Sequence, residues 1–163
     1  MGLNETSVFI KVSFCLAAAG FLLHIIGFAT AYWISSSVGG VKSHQGLWRG
    51  CVSGNGYSIC SSGGDQPSWF EATQAFETLG FIAAIVALVL IVLYVFVPQT
   101  SGKKIVFILA MLACFAAAGC IILGIIIYGS KMDNLSWSFA LCCIAGIIFG
   151  ISGILLVVDM LKR

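Results

Sequence analysis

The chain has 163 residues, 60% of them apolar and 9% charged, and its 8 Lys+Arg against 6 Asp+Glu leave a net charge of +2. A soluble domain carries about 25% charged residues, so this composition excludes a disordered chain, a nucleic-acid binder and an ordinary cytosolic enzyme. So small a net charge names no anionic partner. The first expected partner is the lipid bilayer.

The few charges fall in clusters, and four windows between them are free of charge. Lys11 to Lys42 encloses 30 uncharged residues, Glu77 to Lys103 encloses 25, Lys104 to Lys131 encloses 26, and Asp133 to Asp159 encloses 25. A helix rises 1.5 Å per residue, so about 20 apolar residues cross the hydrocarbon core. Each window suffices for one crossing and none for two. The windows predict helices at about 12–34, 77–97, 105–128 and 138–160, each bounded where a charge becomes too costly to bury in lipid. A β-barrel would need short alternating segments, and the run Ile82 to Val92 does not alternate.

The first window also ends in Ala29-Thr30-Ala31, which has the form of a signal-peptide cleavage site. Its apolar stretch, about 12–28, exceeds the 7–15 residues of a signal core, so a retained helix is expected. His24 is the ionisable residue within it, and a neutral imidazole bonded to a Ser, Thr or backbone group is expected there. No chain of acids accompanies it, and a channel reading lacks intramembrane charge. Trp33, Trp69 and Trp137 fall at one end of helices 1, 2 and 4, where aromatic rings anchor at headgroups.

Residues 35–76 form the one sizeable loop, rich in Gly and Ser, with strand-like patches at Gly46-Leu47-Trp48 and Tyr57-Ser58-Ile59. Within it, Asn55-Gly56 is the favoured two-residue type I′ hairpin turn. With those two residues at the tip, 54 faces 57, 53 faces 58, 52 faces 59, and Cys51 faces Cys60. That last pair falls at a non-hydrogen-bonded position, where Cα atoms stand about 4.5 Å apart. A disulfide spans such a distance. The other five cysteines lie in predicted spans and act as small apolar residues.

Helix 2 leads through Pro98 to Gly102 into helix 3, so the two are antiparallel neighbours. On helix 3, Ala116, Cys120 and Gly124 form a small-residue ridge, and helix 4 carries the GxxxG step Gly146 to Gly150. Small residues let helices approach closely. The second loop, about 129–137, is short. Its sequon at Asn134 is a glycosylation candidate, hindered by the nearness of helix 4. Asn4 heads a second sequon, and Met1-Gly2 opens a loose myristoylation pattern.

Lys11, Lys103, Lys104, Lys162 and Arg163 fall on one side of the four crossings, and Lys42, Arg49 and Lys131 on the other. This bias predicts cytoplasmic termini and an extracellular 35–76 loop, in a compartment that favours the disulfide.

Trp33, then Gly46-Leu47-Trp48, then Cys51 and Cys60 make the pattern W…GLW…C…C. With four spans, the chain resembles the claudin, peripheral myelin protein and epithelial membrane protein superfamily. The resemblance implies a membrane all-α four-helix transmembrane bundle carrying a small extracellular antiparallel β-sheet, with one further strand from the second loop. It implies that the GLW element packs the sheet onto the outer bilayer surface. The Arg that tight-junction claudins carry at the start of helix 2 is absent, because Gln74-Ala75 is followed by Phe76-Glu77. Ending at Met160-Leu161-Lys162-Arg163, the chain is expected to recruit no PDZ scaffold through its C-terminus.

The implied role is structural, in cell–cell adhesion, junction or membrane barrier at the plasma membrane, by self-association in cis or in trans. The alternative is a myelin-type protein or an auxiliary subunit that binds another membrane protein such as a channel. No catalytic set, metal spacing or cofactor motif is read in the sequence.

Overall fold

The computed structural model of the chain describes residues 7–162. The Asn4 sequon, the Met1-Gly2 pattern and Arg163 lie outside the described residues. Four helices carry the fold: α1 (Val8–Ala29), α2 (Ser68–Phe96), α3 (Lys104–Lys131) and α4 (Trp137–Lys162). Between α1 and α2 stand four strands, β1 (Ile34–Val38), β2 (Val41–Gln45), β3 (Gly50–Gly54) and β4 (Tyr57–Ser61). They form one antiparallel sheet in sequence order.

All four helices are long and apolar enough to cross a membrane. Their outward faces expose Leu22, Leu79, Ile82, Val89, Leu112, Ile126, Ile147 and Ile154. A water-soluble surface does not present so much contiguous aliphatic area. Backbone polar groups close within each helix, as hydrocarbon requires. The chain is a membrane protein of four spans.

The helix limits differ from those expected at both ends of the large loop. α1 stops at Ala29 rather than near 34, because the sheet claims the residues beyond it. The Trp33 amide donates to the Gln45 carbonyl at 2.9 Å, and Ile34 opens β1 opposite Gln45. α2 starts at Ser68 rather than 77. Pro67 precedes it, and the Phe70 and Glu71 amides donate to the Pro67 carbonyl at 3.0 and 3.1 Å. Glu71 in the first turn favours the positive end of the helix dipole. At 29 residues α2 is about 43 Å long. That exceeds a hydrocarbon core of about 30 Å, and its first turns brace the sheet, where the Gln74 side-chain amide donates to the Leu47 carbonyl at 2.6 Å. Glu77, expected to bound a span, is therefore an internal residue of α2.

Inside the bundle α2 packs chiefly on α3, and α1 on α4. Ala84, Ala87, Ala110, Ala117 and Ala145 are fully buried on the facing sides. The small-residue ridge of α3 is rotated from its expected face. Gly124 is buried, but Ala116 is exposed and Cys120 half-buried, and the buried row runs through Cys114, Ala117, Ile121 and Gly124. The GxxxG step is also only half used. A Cβ on Gly146 would meet Ile122 at 2.8 Å, whereas on Gly150 it would meet only Ala118 at 3.8 Å. The second close approach falls at Gly153, against the Phe115 ring. Apolar side chains cover every face of these helices, so spacing alone does not reveal which face turns inward.

Hydroxyls stitch α1 to α4 along its length. Ser7 bonds the Asp159 carboxylate. The Ser13 and Ser152 hydroxyls meet at 2.6 Å, and the Ser152 hydroxyl also lies 2.9 Å from the Ser13 carbonyl. Thr30 and Ser138 meet at 2.6 Å nearer the sheet.

Candidate functional site

The sheet is built from two tight hairpins. Asn55 and Gly56 take φ of 50° and 82° at the β3–β4 tip, the left-handed values a type I′ turn needs. Cys51 pairs with Cys60, Val52 with Ile59, Ser53 with Ser58 and Gly54 with Tyr57. The Cys51 and Cys60 Cα atoms stand 4.1 Å apart and the two side chains form a disulfide. The β1–β2 tip is Gly39-Gly40, at φ of 58° and 82°. The Gly-Gly pair is the sequence signal for that second turn.

Side chains alternate across a strand, so the register divides the sheet into two unlike faces. One carries Ser35, Ser37, Lys42, His44 and the disulfide. The other carries Val38, Val41, Val52, Tyr57 and Ile59, one or more from every strand. Val38 is 78% exposed and Ile59 63%. This apolar face borders a groove of about 1080 Å³ between the sheet and the ends of α2 and α3. Arg49, Glu71, Lys131 and Asp133 also line the groove, two charges of each sign. Every residue of β4 is exposed, and β4 is an edge of the sheet.

Gly46-Leu47-Trp48 is not a strand. It is the connection between β2 and β3, and it seats the sheet on the bundle. A Cβ on Gly46 would collide with the Thr30 carbonyl and the Ala31 backbone, so only glycine lets the connection lie against the end of α1. Leu47 is 1% exposed, and its carbonyl accepts from the Gln74 amide of α2 at 2.6 Å. Trp48 remains partly exposed, its ring against Phe28 at 5.3 Å. Trp33 is no headgroup anchor. It is fully buried, edge-on to Tyr128 at 4.9 Å and Phe139 at 5.6 Å, and its Nε1–H donates to the Gly27 carbonyl at 2.8 Å. Trp137 is exposed and stacks on Tyr32, which stacks in turn on His44. His44 Nδ1 lies 2.7 Å from the Ala31 carbonyl. Asn134, with φ of 59°, lies in the second loop. That loop reaches the β1 edge through one bridge, Ile34 to Leu135, and the Ser35 amide donates to the Asn134 carbonyl at 3.1 Å.

Below the sheet lies a polar cluster that the charge map hid. His24 of α1 and Glu77 of α2 are both 0% exposed, and His24 Nε2 lies 2.9 Å from Glu77 Oε2. The carboxylate replaces the hydroxyl or backbone partner expected for His24, and the premise that the spans hold no charged group does not stand. Cys142 of α4 joins them, with one ligand atom from each residue within 4.8 Å of the others. Phe28 and Phe81 border His24 on its α1 and α2 sides. The signal was available as His24 itself, since a buried imidazole in a span implies a partner.

The family model described as PMP-22/EMP/MP20/Claudin matches residues 6–156. Epithelial membrane protein 1 of Rattus norvegicus is 30% identical over 111 residues, which are 68% of this chain and 64% of that protein. The lens fiber membrane intrinsic protein of Homo sapiens is 32% identical over 77 residues, 47% of this chain and 42% of its own length. Epithelial membrane protein 1 of Oryctolagus cuniculus is 28% identical over 129 residues, 73% of this chain and 74% of that protein. The chain thus spans about two thirds of the rat relative and under half of the human one. With four apolar helices, a four-stranded sheet and a disulfide-closed hairpin, the chain belongs to the PMP-22/EMP/MP20/Claudin family.

Proposed function

We propose that the protein is a structural tetraspan of the plasma membrane that mediates cell–cell adhesion, a junction or a membrane barrier through its sheet. In this reading the sheet is extracellular and both termini are cytoplasmic, as the distribution of Lys and Arg favours. The observation that carries it is the exposed apolar face of Val38, Val52, Tyr57 and Ile59 beside the open β4 edge. An apolar face rimmed by polar groups marks an association surface, and an unpaired edge strand offers backbone groups for pairing. The occupant is a second copy of the chain, in the same or the apposed membrane. The balanced charges of the groove suit such self-pairing better than attraction of a strongly charged partner.

Mixed cultures of non-adherent cells test this. The protein should concentrate at contacts where both cells express it and stay diffuse where one does. Equal enrichment at one-sided contacts, or none at two-sided ones, rejects self-association in trans. Cross-linking within single cells then tests the cis form, which requires dimers or larger species.

A further inference from the structure

We infer that His24, Glu77 and Cys142 form a binding site for a divalent zinc-class ion, clipping α1, α2 and α4 together beneath the sheet. The three residues come from three helices, are fully buried, and each offers a ligand atom within 4.8 Å of the other two. Imidazole nitrogen, carboxylate oxygen and thiolate sulfur are the donor set that zinc accepts and that calcium and magnesium do not.

The hydrogen bond between His24 and Glu77 uses one atom of each. His24 Nδ1 and Glu77 Oε1 remain buried without a hydrogen-bond partner among the described residues. Buried polar groups seldom stay unpaired, and an ion held by both carboxylate oxygens engages one of these. The charges also balance. A neutral imidazole, a carboxylate and a thiolate cancel a divalent ion, leaving a neutral unit in a medium that penalises net charge heavily. Tetrahedral zinc bonds of about 2.0–2.3 Å place ligand atoms roughly 3.3–3.6 Å apart. His24 and Glu77 lie near that spacing, and a side-chain adjustment of about 1 Å brings in Cys142. The backbone is cut back around two ligands. A Cβ on Gly27 would stand 2.6 Å from Cys142 Sγ, and one on Gly124 would collide with the Glu77 carboxylate. His24 lies five residues before the end of α1, about 7.5 Å along the helix from that end. The inference is independent of whether the sheet self-associates.

The test uses the full chain purified in detergent, stripped with a chelator and titrated with Co²⁺ alone. One Co²⁺ per chain is expected, with a thiolate-to-cobalt charge-transfer band that Zn²⁺ abolishes by displacement. Cys142→Ser should remove the band. His24→Gln and Glu77→Gln should each weaken binding at least tenfold. Cys120→Ser and Cys143→Ser should leave both readouts unchanged. Absence of saturable binding by the wild-type chain overturns the proposal, as does a band that survives Cys142→Ser or disappears with Cys143→Ser. Should a variant fail to fold, X-ray absorption of the zinc-loaded wild-type chain decides. One sulfur among nitrogen and oxygen ligands supports the site, and a shell without sulfur refutes it.

Discussion

The sheet and the bundle are held together by different kinds of information. In the sheet the features that set register and closure are local. Two-residue turns at Gly39-Gly40 and Asn55-Gly56 set the register, and a disulfide closes residues nine apart. In the bundle the decisive contacts join residues far apart in the chain, such as Ser13 with Ser152, 139 positions away, and His24 with Glu77, 53 away. Apolar surface does not discriminate between helix faces in lipid, because hydrocarbon is as good a neighbour as another helix. Small residues and polar pairs have to choose the face instead. Damage to the sheet should therefore stay local, and damage to the bundle should spread to whatever rests on it.

The largest effect should come from breaking the buried pair. Glu77→Leu leaves the buried His24 imidazole without its partner and should cost about 3 kcal/mol, the upper end for a buried polar group left unpaired, read as a shift in SDS-induced unfolding. The double variant with His24→Leu should recover most of that loss, since two apolar groups leave nothing unpaired. A double variant no better than the single one would mean that the pair is not the source of the cost.

Next in size is the disulfide. Cys51→Ser with Cys60→Ser should cost about 2–3 kcal/mol, confined to the sheet. Protease cleavage within 50–62 should rise while the four helices stay inserted. Loss of helix insertion would show that sheet and bundle fold as one unit. Gly46→Val comes close behind, at about 1–3 kcal/mol of overpacking. The added side chain meets backbone on the end of α1, so the sheet has to lift, and hydrogen exchange should quicken at β2 and β3 but not at the β3–β4 tip.

At the tip, Gly56→Ala places a Cβ at φ of 82° and should cost about 1–2 kcal/mol, visible as faster exchange in β3 and β4 alone. The smallest effect should be Ser13→Ala. Interhelical hydrogen bonds in membranes average about 0.6 kcal/mol, so SDS unfolding should shift only slightly. A large shift there would place the α1–α4 hydroxyls among the main supports of the bundle.

The same contrast explains how much was legible in the sequence. The number of spans, the membrane fold, the Asn55-Gly56 turn and the facing of Cys51 and Cys60 obey short-range rules. The ends of α1 and α2 do not. Ile34 is apolar enough to continue a helix, and only its pairing with Gln45 shows that it begins a strand. Glu77 reads as a boundary because a carboxylate is costly in lipid; its cost is offset by His24, whose proximity no spacing reveals. Trp33 reads as an interfacial anchor, but Tyr128 and Phe139 enclose it from two distant helices. On α3 the choice between Ala116 and Ala117 as the inward residue is one step of about 100°, and an all-apolar surface leaves it undecided.

The central claim is that the apolar face of the sheet is the surface that recognises a second copy. Ile59→Lys tests it most directly, because Ile59 is 63% exposed and its replacement disturbs little of the fold. In mixed cultures the variant should reach the cell surface in wild-type amount and lose its enrichment where two expressing cells touch. Enrichment equal to that of the wild-type protein would contradict the account.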